Sequence, residues 1–100
     1  MKTKITEKDG KVTVAVQGEL DTDTSVDFQK EVAPLMERQN LAVELDGDKL
    51  EYISSKAIRV LISLQQRIMA NGGSLVVTRV QPAVREIFDM TGLTRSFGIE

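Results

Sequence analysis

One hundred residues, 41% hydrophobic and 28% charged, describe one small globular domain, with chain enough for a single core spanning residues 1–100. A net charge of −2 offers no broad basic surface, so nucleic acid is not an expected partner. The absence of cysteine and histidine excludes thiol catalysis, serine–histidine triads, histidine phosphotransfer and the common zinc sites.

No apolar run is longer than that of Val60-Leu61-Ile62, far short of a membrane span, and the opening "MKTKITEKDG" lacks the apolar centre of a signal peptide. The expectation is a cytoplasmic chain without membrane insertion. Glu19, Glu44 and Asp46 are scattered, with no spacing that suggests acid–base catalysis. Asn71-Gly72-Gly73 follows a helical pattern instead of opening one, so it reads as a stop and not as a phosphate loop. Neither a cofactor nor catalysis is expected.

In chain order, "KITEKDGKVTVAVQG" reads as two strands joined at Lys8-Asp9-Gly10. Val12, Val14 and Val16 alternate with Thr13 and Ala15, and Asp-Gly between such runs signals a hairpin. "ELDTDTSVDFQKEVAPLMERQN" follows. Thr22, Asp23 and Thr24 are competent N-caps, and Val26, Phe28, Val32, Leu35 and Met36 mark one helical side. Pro34 interrupts that side and removes the bond to the Lys30 carbonyl, which predicts a kink or a helix in two parts.

Leu41, Val43 and Leu45 alternate as a strand, then meet turn formers at Asp46-Gly47-Asp48. A helix follows Ser54 and ends at Asn71-Gly72-Gly73. "SLVVTRV" reads as a strand buried on both faces, as parallel strands are. "QPAVREIFDMTGL" reads as a third helix, with Pro82 in its first turn and Gly92 at its end. Phe88, Met90 and Leu93 are expected in core and helix-end packing. "TRSFGIE" is taken as a last short strand. The expected order is β-β-α-β-α-β-α-β, an α/β fold with a mixed, mostly parallel sheet flanked by helices. Right-handed crossovers would bring residues 21–24 and Ser54-Ser55 to the carboxyl ends of strands, where they could be neighbours.

The adjacent serines Ser54 and Ser55 pose the functional question. A serine at a helix start is ordinarily a cap for first-turn N–H groups. One cap suffices, so the second hydroxyl is spare. The sharper reading is a phosphoacceptor. The positive end of the helix dipole tolerates a phosphate, Lys56 adjoins Ser55, and Arg59 lies one turn on along the same side.

"VAVQGELDTDT", "LAVELDGDKLEYISSKAIRVLISL" and "NGGSLVVTRVQPAVREIFDMTGL" resemble, in this order and spacing, the STAS domain, and among its members the stand-alone anti-sigma-factor antagonists. The likeness covers about residues 10–97. It implies a partner-switching regulator, not an enzyme. The unmodified antagonist binds an anti-sigma factor that is also a GHKL-type serine kinase, is released on phosphorylation, and is restored by a PP2C-type phosphatase. The acceptor position matches Ser55. Where the family often reads Asp-Ser-Ser-Gly or Asp-Ser-Thr-Gly, this chain has Ser54 for the aspartate, Lys56 for the second hydroxyl and Ala57 for the glycine. Asp21 matches a partner-facing loop position, although a turn or capping aspartate explains it equally well. The partner-binding set is Asp21, Thr22, Asp23, Thr24, Ser54, Ser55, Lys56 and Arg59. Two other readings stay open: a scaffolding STAS domain of a transport or stressosome-like complex without a phospho-switch, and a small-molecule binder or enzyme.

Overall fold

The computed structural model describes residues 2–99. β1 (Lys2–Lys8) and β2 (Lys11–Leu20) form the opening antiparallel hairpin. Asp9 and Gly10 turn it at φ 53° and 80°. Two positive φ values make a turn whose twist matches that of the strands it joins.

β2 is the hub of the sheet. Residues 11–15 pair in parallel with β3 (Ala42–Asp46), and residues 18–20 pair in parallel with β4 (Leu50–Ile53). The register shifts between Gly18 and Glu19, and Gly18 stands at φ 95°, a conformation that glycine adopts without strain. There β2 leaves one partner and takes the other. β5 (Ser74–Thr78) pairs in parallel with β3, which gives the order β1-β2-β3-β5 with β4 beside the end of β2. Five strands in a mixed, mostly parallel sheet with three helices are the α/β class that the sequence predicts.

The core lies on one side of the sheet. Val12, Val14 and Val16 of β2, Val43 and Leu45 of β3, and Leu75 and Val77 of β5 are buried, while the residues between them are half-buried or exposed. Three helices cover the buried side: α1 (Thr24–Val32) through Phe28 and Val32, α2 (Ser55–Ala70) through Leu61, Leu64 and Ile68, and α3 (Pro82–Met90) through Val84 and Phe88. The expectation that β5 is buried on both faces therefore fails. Val76 is 40% exposed, because no helix lies over the opposite face.

Two details of chain order also differ. β4 adds a strand between β3 and α2. Residues 94–98 form turns in place of the expected last strand, and Glu100 lies outside the described residues. Phe97 is the cause. Its ring is buried edge-on against Phe88 at 5.6 Å, and its carbonyl accepts the Val77 N–H at 2.8 Å. Gly98 then turns at φ 66°. Drawing the ring inward turns the chain so that it meets β5 at this bond without running along it as a strand.

Pro34 does split its helix. α1 ends at Val32 and a 3-10 turn spans Ala33–Glu37. On α1, Val26 is exposed and Ser25 is buried, so the apolar side is rotated from the one expected. Phe88 and Leu93 pack as predicted, but Met90, at 80% exposure, does not. It falls on the outer side of the last turn of α3.

Candidate functional site

β4 delivers the chain to α2 beside the end of β2. Leu20 pairs with Ile53, and the Ser54 N–H donates to the Leu20 carbonyl at 2.8 Å. Residues 21–24 leave β2 just after that bond, and Ser54-Ser55 leave β4 just after it. The two segments are neighbours at the carboxyl ends of adjacent parallel strands, the usual place for a site in an α/β sheet.

The adjacent serines have different surroundings. Ser54 is the N-cap of α2, at φ −85° and ψ 164°. Its hydroxyl accepts the Ala57 N–H at 3.1 Å, its carbonyl accepts the Ile58 N–H at 3.0 Å, and it is 7% exposed. Ser55 is the first residue of α2 and is exposed. One hydroxyl starts the helix and the next faces solvent. Ser54→Ala is expected to lower stability by about 1 kcal/mol, because it leaves the Ala57 N–H without its acceptor. A urea titration at fixed pH reads this directly.

The first turn of α2 carries no acidic residue. Lys56 is half-buried and Arg59 exposed, and among the described residues neither joins an ion pair, unlike Arg38, Arg79 and Arg85. By position, the N–H groups of Ser55 and Lys56 have no acceptor within the helix. The start of α2 therefore presents positive charge from Lys56, Arg59 and the helix N-terminus, beside the carboxylates of Asp21 and Asp23 on the adjoining segment.

The neighbouring segment is held by its own side chains. Asp21 Oδ1 accepts the Thr24 N–H at 2.8 Å, and Thr24 Oγ1 accepts the Asp21 N–H at 2.9 Å. The Thr24 hydroxyl stands between two acceptors, 2.9 Å from the Glu19 carbonyl and 3.0 Å from Asp21 Oδ1, and its one proton is shared between them. Asp23 holds the N-cap position of α1 without a side-chain bond, and Thr22 and Asp23 are exposed. Asp21 thus closes the turn that leads into α1. Ser25 escapes a sequence reading: it is fully buried and its hydroxyl donates to the Thr22 carbonyl at 2.8 Å. Its spacing of three from Phe28 is the only signal, and three preceding cap candidates hide it.

The Thr24 N–H and hydroxyl hold the Asp21 carboxyl below the ordinary carboxylate range. The Thr78 hydroxyl and then Lys11 do the same for Glu44, and Arg79 does it for Asp46. Glu44 and Asp46, noted in the sequence as scattered, bond to Thr78, Lys11 and Arg79 and so tie neighbouring strands together. Their folded values lie below their unfolded ones, so their stabilising contribution is complete above the unfolded range and is lost as pH falls through the folded values. With no histidine to titrate, the urea midpoint is expected to be flat from about pH 5 to 8 and to fall below about pH 4.

Clefts of about 570 and 610 Å³ lie elsewhere, and neither is lined by residues 21–24 or 54–59. Among the described residues no group of three carboxylates is placed to hold a metal ion, and no helix is long and apolar enough to cross a membrane.

Three relatives set this geometry in context. The chain is 28% identical over 99 residues to BtrV of Bordetella bronchiseptica, which carries the name of an anti-sigma factor antagonist; the match covers 99% of this chain and 85% of BtrV. It is 33% identical over 86 residues to the anti-sigma F factor antagonist of Paenibacillus polymyxa, over 84% of this chain and 73% of that one. In fold it is similar to the anti-sigma factor antagonist SpoIIAA in its unphosphorylated form, with a TM-score of 0.82 at 16% identity, over 94% of this chain and 84% of SpoIIAA. The sequence model of the family described as "Mlab, STAS domain" matches residues 3–99. The chain belongs to the STAS domain family.

Proposed function

We propose that this chain is a cytoplasmic anti-sigma factor antagonist that works by partner switching, with Ser55 as the phosphoacceptor and no catalytic role of its own. The observation that carries the reading is the division between the serines: Ser54 is committed to capping α2, and Ser55 is exposed beside it. The names of the two curated relatives support the antagonist role. The docking surface comprises the start of α2, with Ser54, Ser55, Lys56 and Arg59, and the adjoining Asp21, Thr22, Asp23 and Thr24. The partner is an anti-sigma factor that is also a GHKL-type serine kinase, and a PP2C-type phosphatase reverses its action.

The physical basis is electrostatic. A phosphate brings a charge of roughly −1.5 to −2 to a patch that Lys56, Arg59 and the helix start make positive. A partner surface matched to the positive patch is itself negative, so it then meets a charge of its own sign and is repelled. The test is to incubate the chain with the GHKL-type anti-sigma kinase of its own organism and ATP, then locate the phosphate by peptide mass spectrometry. Phosphate on Ser55 is the expected result. Phosphate on Ser54, or on neither serine, rejects the assignment. A stable complex that forms with the serine unmodified and persists with ATP favours the scaffolding role instead.

A further inference from the structure

Among the described residues, three non-glycine residues have positive φ: Asp9, Asn40 and Arg79, the last at 54°. Aspartate and asparagine tolerate that region through their short polar side chains, and arginine does not. The backbone gives no reason for an arginine just beyond β5, where a glycine would sit without strain. The side chain does. Its guanidinium grips Asp46, the last residue of β3, through two bonds, with Nε 3.1 Å from Oδ1 and the second bond to Oδ2. Asp46 is only 12% exposed, so the pair is partly sheltered.

That grip belongs to a larger tie. The turn between β3 and β4 is fastened on one side to the end of β5 and the segment after it: the Gly47 N–H donates to the Thr78 carbonyl at 2.8 Å, and Gln81 Nε2 donates to the Asp48 carbonyl at 2.8 Å. On the other side the Gly18 N–H donates to the Lys49 carbonyl at 2.9 Å, where β2 changes partner. The turn feeds β4, which has only four residues and β2 as its pairing strand, and β4 feeds Ser54 and Ser55. So short a strand cannot fix its own register.

We infer that Arg79 is a positioning residue for the Ser54–Ser55 junction: by holding Asp46 it fixes the 47–49 turn, the register of β4 and the presentation of Ser55. This rests on the reading of Ser55 as the acceptor, and its test separates the two. Arg79→Gly releases the strained backbone while removing the guanidinium, so the two effects on global stability offset one another. Amide hydrogen exchange on the whole chain is then expected to be at least about tenfold faster at Asp48, Leu50 and Ser54, with Leu61 and Leu64 of α2 and the urea midpoint unchanged. Asp46→Asn should give the same pattern, and Arg79→Lys should restore part of the protection. With the GHKL-type kinase, KM for the Arg79→Gly chain should rise about fivefold at unchanged kcat. Unchanged exchange at those amides overturns the inference. So does uniform acceleration with a lowered midpoint, or faster local exchange with an unchanged KM. If the kinase leaves wild-type Ser55 unmodified, the switching reading fails, and the exchange at Ser54 still decides whether Arg79 positions the junction.

Discussion

Ser55→Asp is expected to weaken binding to the anti-sigma kinase by about 100-fold, and Ser55→Ala to leave it tight even in the presence of ATP. A tenfold change in affinity is about 1.4 kcal/mol, and an unpaired charge forced into a protein interface costs about 2–5 kcal/mol, so even a single added carboxylate is enough. True phosphoserine, with nearly twice the charge, should exceed it. Neither variant should change the unfolding free energy from a urea titration by more than about 0.5 kcal/mol. The first helical position is exposed, and an acidic side chain there suits the dipole. Titration calorimetry with both variants separates a lost interface from a lost fold. Equal affinities for the two would reject the switch.

The largest loss of stability is expected from Gly73→Ala. A Cβ at this position would lie 2.3 Å from the Leu41 carbonyl oxygen and 2.9 Å from both the Leu41 nitrogen and Ile68 Cγ2. The first two are backbone atoms that cannot swing aside. The Leu41 carbonyl also accepts the Ser74 N–H at 2.8 Å, and the Gly73 N–H donates to the Ile68 carbonyl at 2.8 Å. Relieving the clash therefore pulls apart the start of β5 and the end of α2 together. We expect a loss of about 3 kcal/mol or more, and a fall in Tm of more than about 10 °C for a domain of this size. Gly92 provides the comparison. It has open space around its Cβ position but stands at φ 73°, so alanine there should cost only about 1 kcal/mol. Calorimetric melting of the two variants distinguishes a steric role from a conformational one.

The sequence displays most of this fold because its local signals agree with the tertiary outcome. Asp9-Gly10 marks the hairpin, Pro34 the break in α1, and the alternating valines of β2 the buried side of the sheet. What was not legible depended on contacts between distant segments. Whether β5 is buried on one face or both is decided by where the helices lie, and no pattern within "SLVVT" records that. Phe97 looks like a strand residue until Phe88 is known to wait for it. Arg79 and Asp46 lie 33 positions apart and carry no joint signature. The doubled letters are the most instructive. Ser54-Ser55 and Gly72-Gly73 each invite one explanation for two residues, and each pair splits. Gly72 supplies the left-handed helix stop at φ 81°, and Gly73 supplies the close approach. For the serines, the sequence takes the second hydroxyl as spare, and the structure has Ser54 bonded as the cap and Ser55 exposed.

Because the bonds that begin α2 run through Ser54, a group written onto Ser55 and later erased, as the proposed switch requires, would leave those bonds standing throughout. No loosened intermediate would then have to form at either step, so quality-control proteases and chaperones would gain no opening during such a cycle. The same molecule would be reusable many times. How long a message lasts would then depend on the relative speeds of the two enzymes acting on that hydroxyl, and not on how often this small domain has to be made again.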